Sequence, residues 1–216
     1  MSIDRDKHET EITAAVLLVL IAMRDTLASF GSVSWPAFEA SIVKAIEPTL
    51  VATFEDSSID LAQRLKAVKP EQFGGGAKQW ANTRAREIAR RMRENTEQRV
   101  KAARERSTPD TFSNEIEGVF NPSRAKTVAA SEVTASITAG ERETADDITN
   151  KTDGKTLTPR WQTEQDSKVC PICRPLHGLT EDDWPEALRD GPPAHPNCRC
   201  ELSWKTSILK PEPAGA

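Results

Sequence analysis

Apolar side chains recur at helical spacing along the N-terminal part of the chain. Between residues 35 and 53 they follow one face of a predicted helix with a period of about 3.6 residues. This face comprises Phe38, Ile42, Val43, Ile46 and Leu50. Pro48 lies inside the run, and we expect a kink or a break there because proline removes a backbone donor and crowds the preceding turn. A separate helical segment is predicted from residue 59 to residue 68.

The most apolar run of the chain is residues 12–23, and four acidic residues precede it. A transmembrane helix needs about 20 apolar residues, and a secretory signal has basic residues before its apolar segment. The run therefore predicts a buried helix, or one shared with a neighbouring subunit, that ends at Gly31 and Ser32. We expect no contact with a membrane.

A long, charged helix is predicted from residue 78 to residue 106. Residues 84–106 hold nine Lys and Arg against four Asp and Glu and contain no aromatic residue. Arginines occur all around this helix, which favours a solvated helix with ion pairs at i,i+4. The alternative is a helix that faces phosphate or an acidic partner surface. In that case the candidate contacts are Arg86, Arg90 and Arg93.

Another helix is predicted to begin at Asn121 and Pro122, a capping residue followed by proline in the first turn. Its apolar face consists largely of small residues and extends to about Ala139. We expect Gly140 to terminate or interrupt this helix before an acidic helix continues to about residue 150. Glu132 lies beside the apolar face, where a structural role is expected rather than a catalytic one.

Beyond Asp153 and Gly154, which predict a turn, the pattern becomes extended. Residues 156–163 and 200–206 alternate over a few positions, with Trp161, Leu202 and Trp204 as the bulky members. We expect these two segments to pair as a short antiparallel ribbon. The loop between them is expected to contain one turn of helix near Trp184.

All four cysteines and one of the three histidines lie in two clusters in this last part of the chain. Cys170 and Cys173 form the first cluster, and His195, Cys198 and Cys200 form the second. One tetrahedral cation is the simplest reason for thiols and an imidazole to gather in a chain poor in both, so the clusters predict a structural zinc site. Which four of the five bind stays open, because Cys198 and Cys200 are only two residues apart.

Disulfide bonds and redox chemistry are the alternatives to zinc. A thioredoxin-type pair needs a βαβ setting, and disulfides suit a small secreted domain, but neither context is indicated by the sequence. A catalytic metal with an open position for water is also disfavoured, since the chain has three histidines and no rich carboxylate cluster near the thiols. His177, between the clusters, is expected to be a solvated or hydrogen-bonded loop histidine. We expect no enzymatic activity.

Charge limits the classes of function that remain. The net charge of −4 gives no global basic field for nucleic acid. A zinc module that binds nucleic acid directly is disfavoured because the loop beside the clusters is acidic and would repel phosphate. A nuclease of the His-Asn-His type would need further histidines around a catalytic metal, and only His177 is left over.

These patterns predict a mainly α (α+β) protein in four segments. They are an N-terminal helical region (1–73), a central helical region (77–153), a zinc-binding β element (154–209) and a disordered tail (210–216). The β element has few apolar side chains, so zinc is expected to supply its stability. Binding in such sites is folding free energy on the order of 10 kcal/mol.

The sequence around the clusters closely resembles the C-terminal part of phage Mu F-like minor head proteins. The resemblance is carried by Trp161, by Asp166 before Cys-Pro-x-Cys, by a Leu-x-Gly step at 176–178, and by the closing Pro-x-His-Pro-x-Cys-Arg-Cys at 193–200. Upstream, residues 124–132 are similar to that family's Arg-Ala-x-x-Ile-Ala-x-Thr-Glu helix, with valine for isoleucine and serine for threonine. The resemblance covers about residues 112–204.

The resemblance implies a minor head protein of a tailed bacteriophage that acts in head morphogenesis. Such a protein is made in the host bacterial cytoplasm and built into the virion near the portal, in several copies. Its expected partners are the phage portal and head proteins, with DNA as a further candidate partner.

Overall fold

The structure, a computed structural model, describes residues 3–29, 32–67, 69–151 and 155–208. Within these ranges five α-helices precede two β-strands. The helices are α1 (Arg5–Ala28), α2 (Trp35–Arg64), α3 (Ala77–Arg106), α4 (Pro109–Glu117) and α5 (Pro122–Lys151), and the strands are β1 (Lys155–Gln162) and β2 (Glu201–Ile208). This confirms the mainly helical fold with a small antiparallel β element. No helix in the described ranges is long and apolar enough to cross a bilayer.

Three local predictions fall outside these ranges and receive no structural account. They concern the helix end at Gly31, the turn at residues 153 and 154, and the tail at residues 210–216. The long helix predicted from residue 78 to residue 106 is confirmed as α3.

The break allowed for at Pro48 does not occur. Helix α2 runs through Pro48 to Arg64 and includes most of the segment predicted as a separate helix from residue 59. The side chains of Ile42, Ile46 and Leu50 on its apolar face are fully buried. Most helical stability in proteins comes from packing of such a face, which outweighs the local cost of one proline.

Gly140 does not terminate its helix either, because α5 continues to Lys151 as a single element. Its apolar face is confirmed, since Ala125, Ala129 and Val133 are fully buried. Glu132, expected beside that face, is also buried, with 3% of its surface exposed.

The chain forms two compact units that interleave along the sequence. One unit comprises Asp4–Ala52 and Lys78–Ala129, and the other comprises chiefly Thr53–Ala77 and the chain from Ala130 onward. Helices α2 and α5 therefore contribute residues to both units. The four consecutive segments proposed from the sequence stay a prediction.

In the unit that contains α3, Arg124 at the start of α5 links α3 to the turn that follows α4. Its guanidinium donates hydrogen bonds to the Thr96 Oγ1 (2.8 Å) and to the Val119 carbonyl (3.0 Å). Burial, and then the charge of Arg99, lower the pKa of Arg124 to about 10. The side chain stays charged near neutral pH, and its hydrogen bonds indicate a structural role.

In the other unit, the C-terminal parts of α2 and α5 approach closely at Gly140. The Ser58 Oγ donates to the Gly140 carbonyl at 3.1 Å. A Cβ atom at Gly140 would overlap the backbone carbonyl of Phe54 and the Ser57 Oγ. Glycine is therefore required here for the close approach of two backbones, although it weakens an isolated helix.

The next residue of α5, Glu141, joins α2, α5 and β2. Its carboxylate accepts hydrogen bonds from the Arg64 guanidinium and from the Trp204 Nε1 (3.1 Å). Burial raises the pKa of Glu141 to about 6, although both partners favour the charged form. The carboxylate thus connects the hairpin to the helices at a cost in desolvation.

We expect Glu141 to make the folded protein less stable as the pH rises. The folded pKa of about 6 lies above the ordinary value of 4.5. The proton on Glu141 therefore adds about 2 kcal/mol to the free energy of unfolding. This contribution is fully present below pH 4.5 and is lost as the pH rises through about 6. Urea unfolding between pH 5 and 7 should show that the free energy of unfolding falls less with rising pH in Glu141→Gln than in the wild type. Exposed Glu117 supplies a control variant, Glu117→Gln, which should keep the wild-type profile.

Candidate metal centre

Strands β1 and β2 form the base of the candidate centre. They pair antiparallel, with Trp161 opposite Leu202 and Gln162 opposite Glu201, which confirms the predicted ribbon. The pairing brings the two ends of the long intervening loop together. Backbone hydrogen bonds between Trp161 and residues Gly178 and Leu179 hold the middle of the loop against β1. The loop contains short 3-10 turns on either side of Trp184, where one helical turn was expected.

The core of this element includes three of the four cysteines. Trp161 and Trp184 pack edge to face with ring centroids 5.3 Å apart. The buried cluster comprises Trp161, Cys173, Leu176, Trp184, Cys198, Cys200 and Leu202. Three of the five candidate metal ligands are therefore also part of this buried core.

The first cysteine pair forms a tight turn. The Cys173 backbone N–H donates to the Cys170 Sγ at 3.3 Å, and the Arg174 N–H donates to the Cys170 carbonyl at 3.0 Å. The His195 Nε2 lies 3.0 Å from the Cys170 Sγ and 3.2 Å from the Cys173 Sγ. Two thiols and one imidazole nitrogen thus converge on one point.

The second cluster forms a similar turn. The Cys198 N–H donates to the His195 carbonyl at 3.2 Å, and Asn197 has the left-handed φ of 59° that asparagine tolerates. Helix α5 holds this turn from one side. The Asn197 N–H donates to the Ser131 Oγ at 3.1 Å, and the Thr134 Oγ1 donates to the Cys198 carbonyl at 2.8 Å.

The structure brings all five predicted metal-site residues together. They form two groups, Cys170 with Cys173 and His195, and Cys173 with Cys198 and Cys200. Within each group the candidate ligand atoms lie within 4.8 Å of one another, and Cys173 belongs to both. The Cys173 and Cys198 sulfurs are 3.8 Å apart. This geometry allows the cluster to hold a metal ion.

The crowded thiols do not share negative charge evenly. A hydrogen bond from the Cys200 thiol, together with backbone N–H groups, lowers the pKa of Cys198 to about 5 despite burial. The same bond and burial raise the pKa of Cys200. Burial and the neighbouring Cys198 raise the pKa of Cys173 to about 12. Negative charge therefore concentrates on Cys198, and binding of a cation by Cys173 must displace its proton.

The pKa values of Cys170 and His195 both shift in the direction that favours charge. Burial opposes charge on the Cys170 thiol, but hydrogen bonds from the Cys173 and Ile172 backbone outweigh it and lower the pKa. Burial also opposes charge on His195, whereas the Pro196 carbonyl and the nearby thiols outweigh it and raise the His195 pKa. Both shifts come from hydrogen bonds and charges within the cluster itself.

His177 has polar partners away from the cluster. Its Nδ1 accepts a hydrogen bond from the Thr163 N–H at 3.1 Å, and its Nε2 lies 2.6 Å from the Gln165 amide. The expectation of a hydrogen-bonded loop histidine is confirmed.

Several residues that support the site were missed in the sequence. Ser131 and Thr134 hold the second turn from α5, and a serine or threonine on a helix gives no signal of such a contact. Arg199 donates to both carboxylate oxygens of Asp166, at 3.1 and 3.0 Å. Asp166 and Arg199 both belong to the motif that carries the family resemblance, and that motif is the sequence signal that could have indicated their pairing.

The candidate phosphate-contacting arginines of α3 have partners within their own unit. Arg86 donates to the Asn82 side chain at 3.0 Å, and Arg90 donates to Glu94 at 3.1 Å. Arg93 pairs with Glu39 of α2 at 2.7 Å and with Glu97 at 3.2 Å. Arg90 and Arg93 therefore form ion pairs and Arg86 bonds a neutral amide, which agrees with a solvated helix that carries ion pairs at i,i+4.

The fold and the cluster define a mainly helical protein whose C-terminal hairpin carries a Cys/His group able to hold a metal ion. The chain belongs to the phage Mu F-like family, because the family described as Phage Mu protein F like protein matches residues 58–203. The match includes the last two turns of α2, all of α3 to α5 and all five Cys/His residues. Neither the search of curated proteins nor the search of solved structures found a match.

Proposed function

We propose that this protein is a minor head protein that acts in the morphogenesis of a tailed bacteriophage head. The observation that carries the proposal is the family match over residues 58–203. It extends beyond the Cys/His motif to the helices that support it. The protein would be made in the host bacterial cytoplasm and built into the virion in several copies, with the portal and other head proteins as its partners.

The Cys/His cluster supports a structural metal ion, and zinc suits its donors best. Thiolate and imidazole ligands are those that zinc prefers in structural sites. The Cys173 and Cys198 sulfurs, 3.8 Å apart, are well beyond the roughly 2.05 Å of a disulfide bond. Zinc would join the two turns and the hairpin, so its role is to stabilise the surface that the protein presents to other head proteins. We also propose that the protein has no enzymatic activity.

Complementation tests the proposed function. A phage that lacks this gene should regain normal heads when supplied with the wild-type protein, and the protein should copurify with mature particles and crosslink to the portal. Cys170→Ser should fail to restore incorporation, whereas Ile172→Ser, in the same turn at a position 54% exposed, should restore it. The proposal would be contradicted if the phage formed normal particles without the protein and if purified wild-type heads contained none of it.

For DNA, the ion pairs of Arg90 and Arg93 lead us to expect no retention of the purified protein on DNA at about 150 mM salt. The double variant Arg86→Glu, Arg90→Glu should therefore behave like the wild type. Arg93 is left unchanged because its pair with Glu39 joins α3 to α2. Retention that falls steeply with salt and is lost in the double variant would instead assign a phosphate-binding face to α3.

A further inference from the structure

We infer that Cys170, Cys173, His195 and Cys198 are the four metal ligands and that Cys200 is a positioning thiol behind Cys198, outside the coordination shell. This inference rests on the proposed zinc site. It also resolves the choice among five donors that spacing alone leaves open.

The two turns have the same spacing. Cys170 and Cys173 are three residues apart, as are His195 and Cys198. Each pair is closed by a turn with a backbone hydrogen bond, from the Arg174 N–H to the Cys170 carbonyl and from the Cys198 N–H to the His195 carbonyl. A turn of this length brings two side chains to one ion, so the two turns together supply four donors.

The His195 ring is oriented for binding an ion through its Nε2. Its Nδ1 lies 2.8 Å from the Pro196 carbonyl oxygen, which can only accept a hydrogen bond. In the neutral imidazole the proton is therefore on Nδ1, and the Nε2 lone pair faces the Cys170 and Cys173 sulfurs. A hydrogen bond from the other ring nitrogen to a backbone carbonyl is the usual support of a metal-ligating histidine.

The Cys198 sulfur lies at a distance from the Cys173 sulfur that suits zinc. Tetrahedral zinc with Zn–S bonds of about 2.3 Å places two sulfurs about 3.8 Å apart. The Cys173 and Cys198 sulfurs are separated by 3.8 Å. The backbone of Cys198 is held by His195 on one side and by Thr134 on the other. Cys198 is not in the group of Cys170, Cys173 and His195, so its side chain must approach that group when the ion binds.

Cys200 is held differently. It directly precedes β2, where Glu201 pairs with Gln162, so its backbone follows the hairpin and not the ligand turn. Its side chain is 5% exposed and belongs to the cluster of Trp161 and Leu202. Its sulfur lies within 4.8 Å of both the Cys173 and Cys198 sulfurs. The Cys200 and Cys198 side chains form a hydrogen bond. The rival assignment makes Cys200 the fourth ligand, since it lines the same cavity as Cys170, Cys173 and His195.

The test compares Cys200→Ser with Cys198→Ser in the full-length chain. Cys200→Ser keeps a hydroxyl donor, so it should hold one zinc per chain in native mass spectrometry, with affinity reduced by no more than about 100-fold, as for an outer-shell change. Cobalt substitution should give the same spectrum of three thiolates and one imidazole as the wild type. Cys198→Ser should bind far more weakly and lose one thiolate from the cobalt spectrum.

A measurement on the wild-type protein keeps the test decisive if either variant fails to fold. With zinc bound, the Cβ chemical shifts of cysteines labelled with carbon-13 should identify Cys170, Cys173 and Cys198 as metal-bound thiolates and Cys200 as a free thiol. Loss of zinc in Cys200→Ser with retention in Cys198→Ser, a metal-bound Cβ shift for Cys200 with a free-thiol shift for Cys198, or two zinc ions per chain would each overturn the inference. A wild-type protein that binds no zinc would overturn the proposed zinc site itself.

Discussion

Replacing Cys173 with serine is expected to abolish zinc binding and to unfold the C-terminal element from Trp161 to about residue 205. Cys173 contacts both halves of the ligand set, and it is also one of the seven residues of the buried cluster around Trp161. Its loss therefore removes the ion and opens the small core at once. Metal binding in sites of this kind contributes folding free energy on the order of 10 kcal/mol, more than so small a core can replace.

Hydrogen exchange measured by mass spectrometry, with zinc content measured in parallel, checks this expectation. Amide protection should be lost over β1, the loop and β2. It should also fall around Ser131 and Thr134, whose side chains hold the second turn. Protection in α3 should remain, since α3 belongs chiefly to the other unit. The control is Ile172→Ser, an exposed position in the same turn, which should match the wild type. Full zinc content and unchanged exchange in Cys173→Ser would refute the structural role of the site.

Replacing Gly140 with alanine is expected to destabilise the protein by about 2–3 kcal/mol, as for overpacking in a tight core. In an isolated helix the same change would be stabilising by about 1 kcal/mol. Here the added Cβ would overlap the Phe54 carbonyl and the Ser57 Oγ, and a backbone carbonyl cannot move aside without shifting α2. The hydrogen bond from Ser58 to the Gly140 carbonyl would be disturbed as well.

Urea unfolding of Gly140→Ala and Gly118→Ala measures this effect against a matched control. A Cβ at Gly118 would meet nothing within 4 Å, and its φ of −65° suits any residue. Gly118→Ala should therefore be neutral or slightly stabilising. If Gly140→Ala is as stable as the wild type, α2 and α5 do not approach as closely as the structure describes.

The sequence by itself determined those features that depend on short spacings. Short stretches of sequence suffice to recognise such features, because turns, strands and helices have fixed periods. They are the Cys-x-x-Cys pair, the alternation around Trp161 and Leu202, and the charge pattern of α3. The five Cys/His residues could be grouped because so few thiols and imidazoles occur elsewhere in the chain. The family resemblance followed from the same motifs and is confirmed.

Only the tertiary structure decided how the helix-breaking residues act and which residues support the site. Pro48 and Gly140 are helix-breaking signals locally, yet both lie inside continuous helices. Buried faces stabilise these helices over many residues, and at Gly140 the missing side chain is what lets two backbones meet. Contacts between distant segments, such as Thr134 with Cys198 and Arg64 with Glu141, have no local signal. The contribution of a side chain to such a contact depends on which residue the fold places opposite it. The spacing of residues along the chain does not indicate that partner.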